Sequence, residues 1–341
     1  MKNVITIGGG TGSFTLLSGL KKYPVNISAI VSMADDGGST GRLRDELGVL
    51  PPGDIRQCLV ALSNSSDTLR ELMNYRFENG GLKGHNFGNI LLSALEKIQG
   101  SFSLGVKEAT HILGVKGQVI PVSEEEMNLY IKLKNKLILI GEKQLDHSEK
   151  VRKHGIDKVY LKPAAKANLE AISAIKKADI IVIGPGDHYG SIVPNLLVAG
   201  IGEAISKSKA KVIYNCNLTN KKGQTENFDV DKYVDEINNY LGKARVDFVI
   251  FPASQPDKNL QKKYEKREGK NSIVFFNQEK NKQRSYQVVL ANVLNEVAIK
   301  KNKEDKIADT RSFIRHDSDK LAEVILALGE LDSENLIKEI V

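Results

Sequence analysis

The sequence has no tryptophan, only two cysteines and no long apolar run, and each absence excludes a class of protein. Cys58 and Cys216 lack CxxC spacing and lie among apolar residues, which indicates buried thiols of a reducing compartment. The apolar start VITIGGG is too short for a signal peptide, and no segment approaches the roughly 18 apolar residues of a membrane span. We therefore expect a cytoplasmic protein with no membrane span.

Acidic residues are fewer than basic ones, and the formal net charge is +7. The lysines are scattered, and their densest runs, at 258–271 and 300–306, are interleaved with glutamate. Such runs are typical of solvated helix faces or loops rather than of a surface that follows phosphates. We expect no nucleic-acid partner, and we treat residues 255–306 as a lysine-rich variable segment.

Apolar runs rich in β-branched residues alternate with amphipathic patterns along most of the chain, which predicts an α/β fold. The expected class is a Rossmann-like, doubly wound, mostly parallel sheet in a single domain, 1–341. Residues 115–165 are predicted to form a small β-hairpin insertion that turns near Lys134-Asn135. The predicted strands are 3–9, 25–33, 179–186, 210–218, 246–254 and 285–293. The predicted helices are 13–23, 53–64, 67–77, 87–98, 168–178, 192–208, 229–241 and 318–331, and the helical region that contains 53–98 is expected to end near Gly100.

The first glycine loop, IGGGTGSF, joins a strand to a helix. Glycines at this position expose backbone N–H groups at the helix N-terminus, where a phosphate is favoured. The loop is not a P-loop, since no lysine follows the last glycine, and Ser13 replaces the third glycine of a dinucleotide fingerprint. A tight strand–helix turn is the alternative interpretation.

A second glycine-rich stretch, ADDGGSTGRLRDELGVLPPGDIR, follows the second predicted strand. Its glycine density predicts neither helix nor strand and indicates a close approach to a ligand. Asp36 stands where Rossmann-like proteins place an acidic residue against a ribose hydroxyl, or it caps the turn. The pair Asp35 and Asp36 also suits Mg²⁺, while Asp35 alone is expected to hold the turn.

Three more polar loops follow predicted strands or precede predicted helices: KGHNFGN, VIGPGDHYGSIVPN and NCNLTN. Because ligands of open α/β sheets bind outside the carboxyl ends of the strands, these loops together predict a phosphorylated-nucleotide site. The six histidines show no metal-ligand spacing, and only His85 and His188 lie in these loops. Arg315, in RHD, either contacts an anion or simply precedes the helix cap at Asp317.

These motifs carry a family resemblance. The sequences IGGGTG, ADDGGSTGRLRDELGVLPPGDIR, GHNFGN, GPGDHYGSIVPNLLVAGI, CNLTNKKGQT and RHD resemble the YvcK-type proteins, known as gluconeogenesis factors. Those proteins belong to one superfamily with the CofD-type 2-phospho-L-lactate transferases of deazaflavin cofactor synthesis. One departure is GPGDHYGSI where the family usually reads GPGSLYTSI, which adds a charge at Asp187 and a titratable ring at His188.

The resemblance implies a nucleotide site that takes a UDP-sugar, such as UDP-N-acetylglucosamine, and a role in cell shape and envelope synthesis on gluconeogenic carbon sources. Its alternative is a Mg²⁺-dependent transferase that moves a phospholactyl-like group from a nucleotide diphosphate. No cofactor other than Mg²⁺ is implied, and Asp36 would face the metal. The residues expected to bind the nucleotide are Gly9, Gly10, Thr11, Gly12, Asp36, Gly37, Ser39, Asn86, Asn89, Gly186, Asn195, Asn217 and Arg315.

Aromatic residues make up only 6% of the chain, and the glycine loops carry just Tyr189 and Phe87. A transferase acting on a flavin-like ring needs aromatic side chains to stack on it. This scarcity favours a binding regulator without turnover, although it leaves catalysis open. A second copy of the chain and an envelope-synthesis protein are the candidate protein partners.

Overall fold

A computed structural model of the chain describes residues 1–295 and 313–330. Within them the strands are β1 Asn3–Gly8, β2 Asn26–Val31, β3 Gln118–Pro121, β4 Asn128–Leu133, β5 Ile138–Ile140, β6 Ile156–Lys162, β7 Ile180–Ile183, β8 Lys211–Asn215, β9 Phe248–Pro252 and β10 Gln287–Ala291. The helices are α1 Gly10–Leu20, α2 Gly38–Leu47, α3 Gly53–Leu62, α4 Asp67–Asn74, α5 Phe87–Gln99, α6 Phe102–Ile112, α7 Glu142–His147, α8 Glu149–His154, α9 Leu169–Lys177, α10 Val193–Leu196, α11 Ile201–Lys207, α12 Val230–Leu241, α13 Lys258–Glu268 and α14 Ser318–Glu330.

Seven strands form one sheet in the order β10-β9-β8-β7-β1-β2-β3, and every neighbouring pair is parallel. The four residues of β7 are all buried, as expected for a strand covered on both faces. This confirms the predicted Rossmann-like class. Strand order reverses between β1 and β7, so a crevice opens there at the carboxyl ends of the strands.

The insertion is smaller than predicted and contains three strands. Residues 118–121 belong to the main sheet, because β3 pairs with β2 along its edge. The separate antiparallel sheet has the order β5-β4-β6, and α7 and α8 lie between β5 and β6. The predicted turn is present, with Lys136 at φ 72°. The single-domain assignment stays a prediction, and part of the lysine-rich segment, 296–306, lies outside the described residues.

Three predicted boundaries are wrong. The glycine-rich stretch forms helix α2, and α6 follows α5 where we expected the helical region to end. The predicted helix 192–208 is split into a π-helical turn at His188–Ile192, then α10, then α11. Gly200 causes the second break, because its φ of 100° is incompatible with a continuous α-helix.

The lysine-rich run 258–271 forms α13 up to Glu268, a solvated helix whose N-cap is Asp257. Its side chain accepts hydrogen bonds from the N–H groups of Asn259 and Leu260. Among the described residues, no helix has both the length and the apolar character needed to cross a membrane.

Candidate functional site

A cavity of about 320 Å³ opens at the carboxyl ends of β1, β7 and β8, where the strand order reverses. We call it the switch-point cavity. Its volume lies at the lower end of the range of about 300–1,000 Å³ found for small-molecule sites. The residues that line it are Gly9, Gly10, Thr11, Gly12, Thr15, Gln57, Asp146, Pro185, Gly186, Asp187, His188, Ser191, Asn217, Leu218, Thr219, Lys221, Gln224, Thr225, Ile314, Arg315 and His316.

The glycine loop after β1 forms one wall of the cavity and begins α1. Gly9 is the N-cap of α1 and offers no side chain to cap it. A Cβ on Gly12 would overlap the carbonyl oxygen of Pro185, so only glycine lets this loop pack against the loop after β7. Gly9 gives this 11-residue helix no side-chain cap, so the N–H groups of its first turn favour an anion at this wall, apart from that of Gly10, which donates to Asp54.

Lys221 and two carboxylates form an ion-pair network at the opposite side. The Lys221 Nζ lies 2.8 Å from Asp146 Oδ1 and also contacts Asp187 Oδ2. Burial opposes ionisation of both partners, yet the Lys221 charge lowers the pKa of Asp187, and the two carboxylates raise the pKa of Lys221. Asp146 lies on α7, so this network joins the insertion to the cavity.

His188 is held by the helix beneath the cavity. Its Nε2 lies 2.8 Å from Glu236 Oε2 on α12, and the Tyr189 hydroxyl donates to the other oxygen of Glu236 at 2.8 Å. Tyr233 and Tyr189 contact the His188 ring edge-on. The ring is therefore fixed in place by its neighbours.

His316 lines the cavity and is buried, and burial alone lowers its pKa to about 4. Between pH 6.5 and 4 the unfolded chain binds a proton here that the folded protein does not. Stability should therefore fall on acidification, by up to about 3 kcal/mol from this residue. Urea unfolding at pH 7 and at pH 4.5 measures this fall in the free energy of unfolding. We expect the fall to be smaller in His316→Gln than in the wild type.

The matched control is His111→Gln, at an exposed position on α6. Its unfolding curve should follow the wild-type pH dependence. If the two variants respond alike to pH, His316 does not carry this linkage.

Three carboxylates, Asp35, Asp54 and Glu142, interact electrostatically, and we call them the carboxylate cluster; of the three, Asp54 lies against Gly9 of the glycine loop. Asp54 accepts a hydrogen bond from the Gly10 N–H. Burial raises the pKa of all three residues, and repulsion from neighbouring carboxylates raises each further; for Asp54 the value is about 7. Asp54 therefore still binds a proton near neutral pH.

The structure brings part of the predicted site together. Seven of the predicted residues line the switch-point cavity: Gly9, Gly10, Thr11, Gly12, Gly186, Asn217 and Arg315. The other six do not line it: Asp36, Gly37, Ser39, Asn86, Asn89 and Asn195. Both ends of the Asn217 amide bond to the protein. Its Nδ2 donates to Gly186 O at 2.8 Å, and its Oδ1 accepts from the Tyr214 hydroxyl at 2.8 Å.

The residues outside the cavity bond to other parts of the protein. Asp36 Oδ1 accepts from the Lys143 N–H at 2.9 Å and so caps α7, while Asp35 holds the turn through the Gly37 N–H at 2.7 Å. Asn195 is fully buried and donates to Gly8 O at 3.1 Å and to Ser191 O at 2.7 Å.

Four residues remain, and three of them, Ser39, Asn86 and Asn89, link α5 to α2 or α3. Asn86 is the N-cap of α5, its N–H donates to Ser39 Oγ at 3.2 Å, and Asn89 accepts from Arg56 Nε at 2.9 Å. Gly37 is the N-cap of α2.

The sequence analysis did not select Asp54, Glu142 or Lys221. Asp54 directly follows the glycine at the start of α3, inside the motif PPGDIR, and that position was the available signal. Lys221 lies inside the motif CNLTNKKGQT, which was the available signal for it, whereas Glu142 lies outside the quoted motifs and its partners are distant in sequence.

Known proteins match this chain over most of its length. The family model of 2-phospho-L-lactate transferase CofD matches residues 4–294. The gluconeogenesis factor of Bacillus subtilis is 35% identical over 328 residues, covering 95% of this chain and 97% of that protein. That of Listeria innocua is 32% identical over 338 residues, covering 98% of each.

A crystal structure of a UPF0052 family member from Bacillus halodurans is also similar. It superposes with a TM-score of 0.86 at 39% identity and covers 96% of this chain and 100% of that one. The match extends over nearly the whole chain in sequence and in structure. The chain therefore belongs to the CofD family, within the group of the gluconeogenesis factors.

Proposed function

We propose that this chain is a cytoplasmic UDP-sugar-binding protein that acts as a regulator, without turnover. The observation that carries the proposal is the composition of the switch-point cavity. One wall is the N-terminus of α1, which has glycine as its N-cap residue, and Arg315 lines the same cavity, so a diphosphate finds both N–H donors and a cation. Neutral polar side chains that suit sugar hydroxyls also line the cavity, among them Gln57, Thr219, Gln224 and Thr225.

The absence of aromatic rings supports a binder over a deazaflavin transferase. Among the described residues that line the cavity there is no phenylalanine, tyrosine or tryptophan. A flavin-like acceptor ring would therefore have no phenylalanine, tyrosine or tryptophan ring on which to stack.

The name of the relatives supports a role in growth on gluconeogenic carbon sources. We extend the proposal to cell shape and envelope synthesis, as the family resemblance implies. A strain without the gene should grow and keep its shape on glucose, and should lose both on a gluconeogenic carbon source. Restoration by a variant that binds no ligand would contradict the proposed link between binding and growth.

A Mg²⁺-dependent transferase remains the second candidate, and the carboxylate cluster favours it. In the described part of the chain, no group of three or more carboxylate, histidine or cysteine side chains is arranged to hold a metal. Mg²⁺ is usually bound by one or two carboxylates together with substrate phosphates. Asp54 and Asp35 fit that arrangement beside the glycine loop, whereas Asp36 is engaged in capping α7. Bound there, Mg²⁺ would offset charge on a departing phosphate.

Calorimetric titration with UDP-N-acetylglucosamine, UDP-glucose, GDP and NAD, each with and without Mg²⁺, separates the two functions. Metal-independent binding of a UDP-sugar that is recovered unchanged supports the regulator. Binding of GDP alone, and only with Mg²⁺, supports the transferase. Absence of binding for all four ligands would overturn the proposed ligand class.

We expect Arg315→Ala to weaken UDP-sugar binding by about 10- to 100-fold, because an arginine–phosphate contact is charge-assisted. The same titration measures this loss. Arg70→Ala is the matched control, since Arg70 lies on α4 and pairs with Asp67 away from the cavity. Equal affinities of the two variants would remove Arg315 from the binding site.

A further inference from the structure

The small sheet β5-β4-β6 has one face in the core and one face without a covering element among the described residues. On the inner face, Leu129, Ile131 and Val159 are buried and pack in one cluster with Tyr189 and Val193. Because side chains alternate along a strand, the neighbours of these residues point the opposite way. The inner face is therefore packed in the core, and the alternate residues of each strand form the outer face.

Two rows of side chains cross this outer side, and we call them the outer face. Tyr130 lies opposite Ile140 on one side and Tyr160 on the other, and Lys132 lies between Ile138 and Lys158. The tyrosine rings stack with centroids 5.4 Å apart. Ile138 and Ile140 are 48% and 49% exposed, so an ordered apolar strip is presented to solvent.

Lysines surround this strip. Lys158 lies over the Tyr160 ring at 5.8 Å, and Lys162 lies over the Tyr130 ring at 5.9 Å. From residue 128 to 162 the chain has nine lysines and arginines against four acidic residues. Two of those four lie on the cavity side, since Asp146 pairs with Lys221 and Glu142 lies in the carboxylate cluster, and a third, Asp157, pairs with Lys132. The outer face is thus apolar at its centre and positive at its rim.

The face ends at an open strand edge. In the part of the chain that the structure describes, β5 pairs only with β4, so the other edge of β5 has no neighbouring strand. An exposed edge of this kind can accept an extended segment as an additional strand. Backbone hydrogen bonds would give such a segment its affinity, and alternate side chains would lie over Ile138 and Ile140.

We propose that the outer face and the free edge of β5 are a docking site for an acidic, extended segment of a partner protein. A second copy of this chain would place lysine against lysine, which disfavours self-association through this face. A lipid surface would leave the edge N–H and C=O groups of β5 without partners. The inference goes beyond the proposed function and does not depend on which ligand the cavity binds.

The test uses the full chain and short random peptides displayed on phage, because no partner is identified. Selected peptides are synthesised and their affinities measured by fluorescence anisotropy. We expect them to alternate acidic and apolar residues. The double variant Lys158→Glu with Lys162→Glu should lower the affinity for these peptides on the order of tenfold or more. The matched control is Lys176→Glu with Lys177→Glu on α9, which makes the same charge change at exposed positions and should leave affinity unchanged.

A second pair of variants tests the apolar strip. Ile138→Thr with Ile140→Thr should also weaken the peptides, whereas Ile98→Thr with Leu169→Thr, at other exposed positions, should not. Unchanged melting temperatures show that the variants fold. The proposal is overturned if the outer-face variants bind the peptides as tightly as the wild type does. It is also overturned if those variants lose binding to anionic vesicles or RNA but keep binding to the peptides. A dimer in sedimentation that the isoleucine variants dissolve would also overturn it.

Discussion

Asp54→Asn should stabilise the ligand-free protein at pH 8 by roughly 1–3 kcal/mol. The pKa of Asp54 is about 7 in the fold because of burial and the nearby Asp35 charge. In the unfolded chain it is near 4. Between these values the folded protein binds more protons, so stability falls as pH rises and stays reduced above pH 7. Asparagine removes that cost while its carbonyl can still accept from the Gly10 N–H.

Urea unfolding at pH 5 and pH 8 measures the effect. The gain should be large at pH 8 and small at pH 5, where the wild-type carboxyl is protonated. Asp45→Asn is the control, at an exposed position on α2, and should change little at either pH. A loss of stability in Asp54→Asn at pH 8 would show that the charged form is favoured in the fold.

The same variant also separates the two candidate functions. Asp54 accepts from the Gly10 N–H at the wall where we place the diphosphate. If the ligand binds without a metal, removing this negative charge should raise its affinity. If Mg²⁺ links the carboxylate to the diphosphate, the same change should lower it. Calorimetry with and without Mg²⁺ distinguishes these outcomes.

Lys221→Met should destabilise the protein by about 2–4 kcal/mol at neutral pH, because it leaves Asp187 and Asp146 without their cation. This loss of stability is smaller than for a fully buried ion pair, since the Lys221 side chain is 32% exposed. The pKa of Asp187 is lowered in the wild type despite its burial, so its share of stability is lost on acidification. The difference in free energy of unfolding between Lys221→Met and the wild type should therefore become smaller below about pH 4.

Lys207→Met is the matched control, because Lys207 pairs with Glu203 on the exposed surface of α11. Such a pair contributes about 0–1 kcal/mol. Adding Asp187→Asn to Lys221→Met should recover part of the loss, which a double-mutant cycle by chemical unfolding measures. If Lys221→Met costs no more than Lys207→Met, the network does not stabilise the fold.

Local sequence patterns predict the parallel sheet well and some helices badly. Runs of β-branched residues locate β1, β2, β7, β8 and β9, because a strand buried on both faces leaves a continuous apolar run. Helix α2 escapes the same reasoning, since glycine disfavours helices. Its Gly41 is required by packing, because a Cβ there would overlap the carbonyl oxygen of Asp36. That contact exists only in the folded protein.

Half of the candidate site follows from the same local reasoning. The glycine loop, Gly186 and Asn217 come directly after strands, and parallel strands bring their carboxyl ends to one edge. Asn86, Asn89 and Asn195 have the same residue type in similar loops, yet their side chains bond to the backbone or to Arg56. Residue type alone does not distinguish an asparagine that faces a cavity from one that fastens two helices.

The sequence by itself determined the fold class, the family and the edge of the sheet where a ligand can bind, because these depend on periodicity and short motifs. Only the tertiary structure decided which charges meet there. Lys221 and Asp146 are 75 residues apart in the chain, and Asp54 meets Gly10 across α1 and α3. Electrostatic interaction depends on distance in space and on burial, and neither quantity is written in the local sequence.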